Sequence, residues 1–247
     1  MQAEFQDQIA VVTGAAKGLG RSITRLLAER GATVYMVDLD GKQLSVAQAE
    51  LKAAGHRVEA VAIDVANEDE LAALRRRIES DHGRLDILVN NAGGWRYGTA
   101  KDIALSDWDW TFRTNVTCTF LATRSLMDLM SARNYGRIVN IASTDAYRAK
   151  PTLPHYAAAK AAVVSLTRSL AFELAPFDVL VNAVSPGPIA TETAKTQGWL
   201  EDRIKTIPVK RVAEPEDIAE VVLFLASARN RFVVGETILA NGGSLMA

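Results

Sequence analysis

Cysteine is almost missing from this sequence: Cys118 stands alone among 247 residues. A lone thiol closes no internal disulfide, so the chain fits a reducing compartment, and cytoplasmic location is the expectation. Excess charge of either sign is missing too, with 28 Lys+Arg against 29 Asp+Glu and a formal net charge of −1. No global basic field draws the chain to nucleic acid or to an anionic membrane, and neither partner is expected. Long apolar runs are absent: clusters such as "AEVVLFLASA" fall well short of the ~20 residues that span a bilayer. The opening "MQAEFQDQIAVV" shows no basic segment followed by an apolar signal core. No Gly/Ser linker interrupts the chain, which predicts one domain over 1–247, and no metal site is expected. What remains is an ordinary globular composition, 49% apolar and 23% charged, on a chain long enough for a substantial core.

What is present is a repeated alternation of strand and helix. "IAVVTG" (Ile9 to Gly14) reads as a buried strand, followed by a helix across "RSITRLLAERG" that stops near Gly31. "TVYMVD" (Thr33 to Asp38), "RVEAVAID", "LDILVNN", "RIVNIAS", "VLVNAVSP" and "ETILANGG" read as further strands. Between them lie helical patterns, one opened by Asn67 with Glu70 three residues on, a capping signature. A second such signature, Ser106 with Asp109, predicts the start of a long helix from about Asp107 to Ala132, with Cys118 inside it as a small core residue. Branched apolar strands separated by helices of this length imply an α/β architecture, a parallel sheet covered on both faces with right-handed crossovers.

The first strand runs into "VVTGAAKGLGRS". Gly14, Gly18 and Gly20 follow the spacing G-x-x-x-G-x-G, which suits a tight turn, close approach of backbone to an anion, and a helix start with free N–H groups. The same glycines would also serve a plain strand-exit loop. Asp38 ends the second strand, where a dinucleotide-binding fold places a carboxylate for the adenosine ribose diol. A carboxylate there repels a 2′-phosphate, favouring NAD(H) over NADP(H), although Lys17 in the turn pulls the other way. Asp64 also follows a strand, and either caps the next segment or touches adenine, or does both.

In "TLPHYAAAKAAVVSLTRSLAFELA", Tyr156 and Lys160 stand four residues apart near the helix entrance, on one face. An ammonium beside a phenol would lower the phenol's pKa toward working pH. Taken alone, such a pair is far more often an ordinary core tyrosine beside a solvent-facing lysine.

Together these features resemble the short-chain dehydrogenase/reductase superfamily, in its compact branch and over nearly the whole chain. The pattern T-G-x-x-x-G-x-G falls on Thr13, Gly14, Gly18 and Gly20, N-N-A-G on Asn90, Asn91, Ala92 and Gly93, and Y-x-x-x-K on Tyr156 and Lys160. Asn115 matches the family's helix asparagine, and Ser143 its serine after the fifth strand, 13 residues before Tyr156. "SPGPIATE" matches the P-G loop with Pro186, Gly187, Ile189 and Thr191. The resemblance implies a doubly wound Rossmann-type sheet of seven strands in the order 3-2-1-4-5-6-7. It implies that Tyr156 exchanges a proton with the substrate oxygen, that Ser143 hydrogen-bonds that oxygen, and that Lys160 binds the nicotinamide ribose. It further implies that Asn115 anchors a water relay through Lys160, and that the glycine turn with Leu19, Val65, Asn91, Ala92 and Gly93 completes the cofactor site. Each of these residues also has a purely structural role open to it: Ser143 and Thr191 as caps, Asn115 at a helix bend, Asn90 holding its turn. "LANGG" departs from the family's valine-aspartate-glycine-glycine, with Asn241 in the aspartate's place, which bears on local packing or assembly.

Members often form homodimers or homotetramers through the alanine-rich helix. Ala158, Ala162, Ser165 and Ser169 provide a face of small side chains for that, unless they face their own sheet. Substrate loops are expected at about 94–105, 144–155 and 186–210, the last a candidate lid or else a surface helix. Trp95, Tyr97, Tyr147, Trp199, Pro188 and Asp145 are candidate pocket residues, and Arg96 and Arg148 are candidates to meet an acidic group or to remain solvated. The implied activity is hydride transfer between a nicotinamide cofactor and a secondary alcohol or ketone. The alternatives are a 3-oxoacyl reductase, for which "AFELAPFDV" lacks the arginines that meet an acidic carrier, and a noncatalytic dinucleotide-binding scaffold.

Overall fold

Successive side chains of a strand point to opposite faces, so a strand apolar at every position must be covered on both sides. In the computed structural model, which describes residues 4–196, 198 and 200–246, the central strands meet that requirement. The seven strands of the sheet are β1 (Ile9–Thr13), β2 (Thr33–Asp38), β3 (Val58–Ala62), β4 (Ile87–Asn90), β5 (Gly136–Ile141), β6 (Val179–Pro186) and β7 (Thr237–Ala240), of which the edge strands β3 and β7 are only partly buried. All pair in parallel, in the order β3-β2-β1-β4-β5-β6-β7. Val12 lies between Met36 and Val89 in register, and all three face one layer.

That layer is closed by Ile23 and Leu27 of α1 (Gly18–Glu29), Leu44 of α2 (Gly41–Ala53) and Val222 of the helix Pro215–Ala226. On the other face Val11, Leu88 and Ile138 meet Leu74 and Ile78 of α3 (Glu68–His82) and Leu170 of α7 (Pro154–Leu174). Each fully buried side chain of this kind stabilises the fold by about 1.5–3 kcal/mol, so both layers hold the sheet. Along α7, Ala159, Val163, Thr167 and Leu170 are buried, while Ala158, Ser165 and Ser169 are exposed and Ala162 is half-buried. The small-residue face therefore looks away from its own sheet.

Asn67 caps α3 as expected, accepting from the backbone N–H groups of Asp69 and Glu70. Ser106 does not cap. Helix α4 (Leu105–Phe112) begins before it, with Ala104 extended as N-cap and the N–H groups of Asp107 and Trp108 donating to the Ala104 carbonyl. The helix continues through a π turn (Arg113–Thr117) into α5 (Cys118–Leu126) and α6 (Asp128–Ser131). A π turn inserts one residue into the helical ladder, and such insertions are frequent at functional sites. Asn115 sits at its centre, fully buried.

Candidate active site

The carboxyl ends of the strands open onto a cavity of about 750 Å³, at the place where open α/β sheets take ligands. One end is the glycine turn. Gly14 and Gly18 adopt left-handed φ of +64° and +54°, which glycine reaches without steric cost. A Cβ on Gly20 would strike the Gly14 carbonyl oxygen and come 2.5 Å from Asn91 Nδ2, so only glycine fits. Asn91 fastens this turn to the end of β4, its side chain donating to the carbonyls of Thr13 and Gly14 at 2.9 and 3.0 Å. Helix α1 starts here without a side-chain cap, which leaves its first N–H groups for an anion.

Asp38 lies on the cavity wall, with the N–H groups of Ala16 and Asp40 each donating to its carboxylate at 3.0 Å. Those bonds aim the carboxylate into the cavity beside the turn. Asp64 accepts from the Ala66 N–H at 2.8 Å, the cap its position allows, and it also lies on the cavity wall. Burial alone would raise its carboxyl, but that N–H and Arg113, 2.7 Å away, hold it below the usual range. Leu19, Val65, Ala92, Gly93, Pro186, Gly187, Ile189 and Thr191 share the wall. Gly18 lies in a smaller adjoining cavity, where its Cβ would meet Thr191. Thr191 also caps α8 (Glu192–Lys195), so its cap role and its place on the wall coexist.

At the other end Ser143, Tyr156 and Lys160 come together. Ser143 follows β5 and accepts from the Asp145 N–H at 3.1 Å, capping the short 3₁₀ turn Thr144–Tyr147. Lys160 is 4% exposed, donates to the Ile141 carbonyl at 2.8 Å and has its ammonium 5.7 Å from the centre of the Tyr156 ring. Burial pulls that ammonium down to about 8. Burial also pushes the Tyr156 phenol well above its usual range, the Ser143 hydroxyl opposing and the Asp145 carboxylate adding to the rise. In the protein alone, desolvation thus outweighs the lowering expected from the neighbouring ammonium, which is turned to the Ile141 carbonyl.

Asn115 Nδ2 donates to the carbonyls of Gly94 and Thr111 at 2.8 and 2.9 Å, while its Oδ1 is buried without a partner. A Cβ on Gly93 would lie 2.6 Å from that oxygen and 3.4 Å from Lys160 Nζ, so both groups border the same space. Asn90 points elsewhere. It bonds Thr123 and Asn140, and through Asn140 reaches Thr167, a buried chain that ties α5 to α7 across the sheet.

Among the substrate candidates, Trp95, Tyr97, Asp145, Arg148 and Pro188 line the cavity. Arg96 does not: it pairs with Asp107 and lies over the Trp110 ring at 4.3 Å, because α4 offers it a carboxylate and an aromatic face three residues apart. Tyr147 is also outside the lining, and Trp199 lies outside the described residues. Lys150 and Leu153, within the expected 144–155 loop, and Trp110, outside all three expected loops, join the lining. Trp110 had a legible signal, since it precedes Thr114 by four residues and Asn115 by five on the same helix. Asn241 is buried, with its amide bonding both the N–H and the carbonyl of Leu245, a donation an aspartate could not make.

The nicotinamide dinucleotide that this arrangement suits would find a glycine cradle that a Cβ would block, an uncapped helix start, a carboxylate at the end of β2 and an unpartnered Asn115 oxygen. Residues 14–244 match the family model described as enoyl-(acyl carrier protein) reductase. The (2S)-[(R)-hydroxy(phenyl)methyl]succinyl-CoA dehydrogenase subunit BbsD of Thauera aromatica is 37% identical over 97% of this chain and 97% of its own. The 3-oxoacyl-[acyl-carrier-protein] reductase FabG of Aquifex aeolicus is 36% identical over 98% and 99%. Among solved structures, a 3-oxoacyl-[acyl-carrier protein] reductase with bound NAD from Brucella melitensis superposes with a TM-score of 0.91 at 33% identity, covering 100% of this chain and 94% of that one. YwfH, an NADPH-dependent reductase of bacilysin biosynthesis, gives 0.92 at 27% identity over 98% and 100%. With the seven-stranded sheet, the glycine turn and the serine, tyrosine and lysine gathered at one cavity, the chain belongs to the short-chain dehydrogenase/reductase superfamily, as an oxidoreductase.

Proposed function

We propose that this protein transfers hydride between NAD(H) and a small or medium secondary alcohol or ketone, with Tyr156 as general acid and base. The observation that carries the reading is one continuous cavity bounded by the glycine turn and Asp38 at one end and by Ser143, Tyr156 and Lys160 at the other. The bound nicotinamide supplies or accepts the hydride.

The protein's own part is placement and proton handling. Ser143 donates to the substrate oxygen, which matters most as negative charge gathers there during reduction. Tyr156, kept neutral by burial, gives that oxygen its proton. Lys160 holds the ribose hydroxyls, and a water accepted into the space between Lys160 and the unpartnered Asn115 oxygen would return a proton to the phenol from outside. Asp38 accepts from the adenosine ribose diol and disfavours a 2′-phosphate, which supports NAD(H) over NADP(H) against the opposing pull of Lys17. Loops 94–105, 144–155 and 186–210 shape the substrate end. The outward face of Ala158, Ser165 and Ser169 supports a homodimer or homotetramer, and the buried, unpaired Cys118 is compatible with a cytoplasmic site of action. No described helix is long and apolar enough to cross a membrane.

A 3-oxoacyl reductase is a special case of the same chemistry, favoured by the likeness to FabG. The end of α7 and the 3₁₀ turn after it (Ala175–Phe177) expose Phe172 and Phe177. Those side chains do not provide the positive charge that an acidic carrier would need. A panel of secondary alcohols, ketones and 3-oxoacyl thioesters, run in both directions with each nicotinamide cofactor and followed by nicotinamide absorbance, tests the reading. No turnover of any secondary alcohol or ketone by protein shown to bind NADH would overturn it.

A further inference from the structure

A lysine normally keeps its ammonium in water while its stem covers apolar surface. Lys150 does not: on a loop that lines the cavity, its side chain is only 17% exposed. Its ammonium lies 3.6 Å from one oxygen of Asp145, while Arg148 Nε donates to the other at 3.0 Å. Asp145 is itself 11% exposed, and its N–H donates to the Ser143 hydroxyl. Two cations thus share one carboxylate, two residues along the chain from the serine that faces the reacting oxygen. One positive charge is left over on a partly dehydrated wall, where an uncompensated charge is costly and an incoming anion gains most. The guanidinium of Arg148 spends Nε on Asp145 and one terminal nitrogen on Thr144 Oγ1 at 3.4 Å, which leaves donors of its fork for a planar carboxylate. In the same cavity the Trp95 ring meets Tyr156 edge-on with centroids 5.9 Å apart, and Trp110 adds aromatic surface to the lining.

We infer that the substrate carries a carboxylate, bound by Arg148 and Lys150, on a cyclic or otherwise apolar body that lies against Trp95 and Trp110. Asp145 is then the positioning residue, holding both cations at the wall. This inference rests on the dehydrogenase reading above for the identity of the substrate, but not for the existence of the anion site.

The test is therefore run on two levels. Benzoate and benzamide have nearly the same shape and differ in charge, and their binding is read from tryptophan fluorescence with NADH present. Benzoate is expected to bind at least about tenfold more tightly, the order set by a charge-assisted hydrogen bond. The contrast should vanish in the Arg148→Gln, Lys150→Gln double variant and persist in Lys150→Arg. Should the double variant melt early, each single glutamine variant is read instead, with part of the contrast lost in each. In turnover, 3-hydroxycyclohexanecarboxylate should exceed its methyl ester in kcat/KM by about tenfold, chiefly through KM, with the same dependence on Arg148 and Lys150. Equal binding of benzoate and benzamide, or a preference that survives in the double variant, overturns the inference. Preferential benzoate binding that depends on both residues, with no alcohol oxidised, upholds the anion site and instead overturns the dehydrogenase reading.

Discussion

Replacing Lys160 by methionine should make the protein more stable at neutral pH while removing most of its activity. The Lys160 ammonium is 4% exposed and is pulled by burial from an ordinary 10.5 to about 8. At about 1.4 kcal/mol per pH unit, that corresponds to about 3 kcal/mol against folding when the group is charged in both states. The sign follows from proton counts. Below pH 8 both states hold the proton and the whole cost is present. Between 8 and 10.5 the unfolded chain keeps a proton that the folded protein has released, so this cost shrinks as pH rises; above 10.5 it is gone. Methionine has similar length and no charge, but it abandons the Ile141 carbonyl, a loss of about 1–2 kcal/mol. The net expectation is a gain of about 1–2 kcal/mol at pH 7, or roughly 3–6 °C in Tm for a chain of this size. By pH 10.5 the difference should have changed sign, leaving only the lost hydrogen bond. Circular-dichroism melts of both proteins at the two pH values decide it, because titrations common to both cancel in the difference. A methionine variant that is less stable at pH 7, by an amount that does not vary with pH, would refute the reasoning. Turnover measured alongside should fall by about 10² or more, the trade of stability for function seen at catalytic sites.

Tyr156→Phe should keep NADH binding by fluorescence while kcat falls by about 10² to 10⁴; more than a third of wild-type turnover, with chemistry rate-limiting, would contradict its role. Because burial raises the phenol, kcat/KM for alcohol oxidation in the wild type should climb with pH through the alkaline range as phenolate forms, and a flat profile would count against Tyr156 as the base. The wild type should use NADH with higher kcat/KM than NADPH at fixed ionic strength, and Asp38→Ala should narrow or invert the ratio; an unchanged ratio would show that this carboxylate does not read the ribose. Gly20→Ala drives a methyl against the Gly14 carbonyl and Asn91, so calorimetry should show weakened dinucleotide binding and melting a loss of about 1–3 kcal/mol, and an unaffected variant would mean the turn is not held as described.

Much of this protein is local and therefore legible along the chain. Strands with branched apolar residues on both alternating faces, such as Ile9–Thr13 and Val179–Pro186, announce burial on both sides, and both are buried throughout. The glycine turn, the carboxylate of Asp38, the Asn67 cap and the four-residue step from Tyr156 to Lys160 likewise depend on neighbours within a few residues or on strand ends already placed. Ser106 shows the limit even of local reading: an extended Ala104 started the helix first.

What the chain could not show was which way charged and aromatic side chains turn once distant loops meet. Arg96 left the cavity because Asp107 and Trp110, 11 and 14 residues on, offered it better partners. The Tyr156 phenol rises because packing dehydrates both it and Lys160, and burial is a property of the assembled sheet and helices. Lys150 and Trp110 join the cavity wall only when the loop before α7 and the helix carrying the π turn close over the end of the sheet. Side-chain chemistry along the chain set what the cavity contains, and long-range packing decided which of those groups face each other across it, because desolvation and pairing energies act through space.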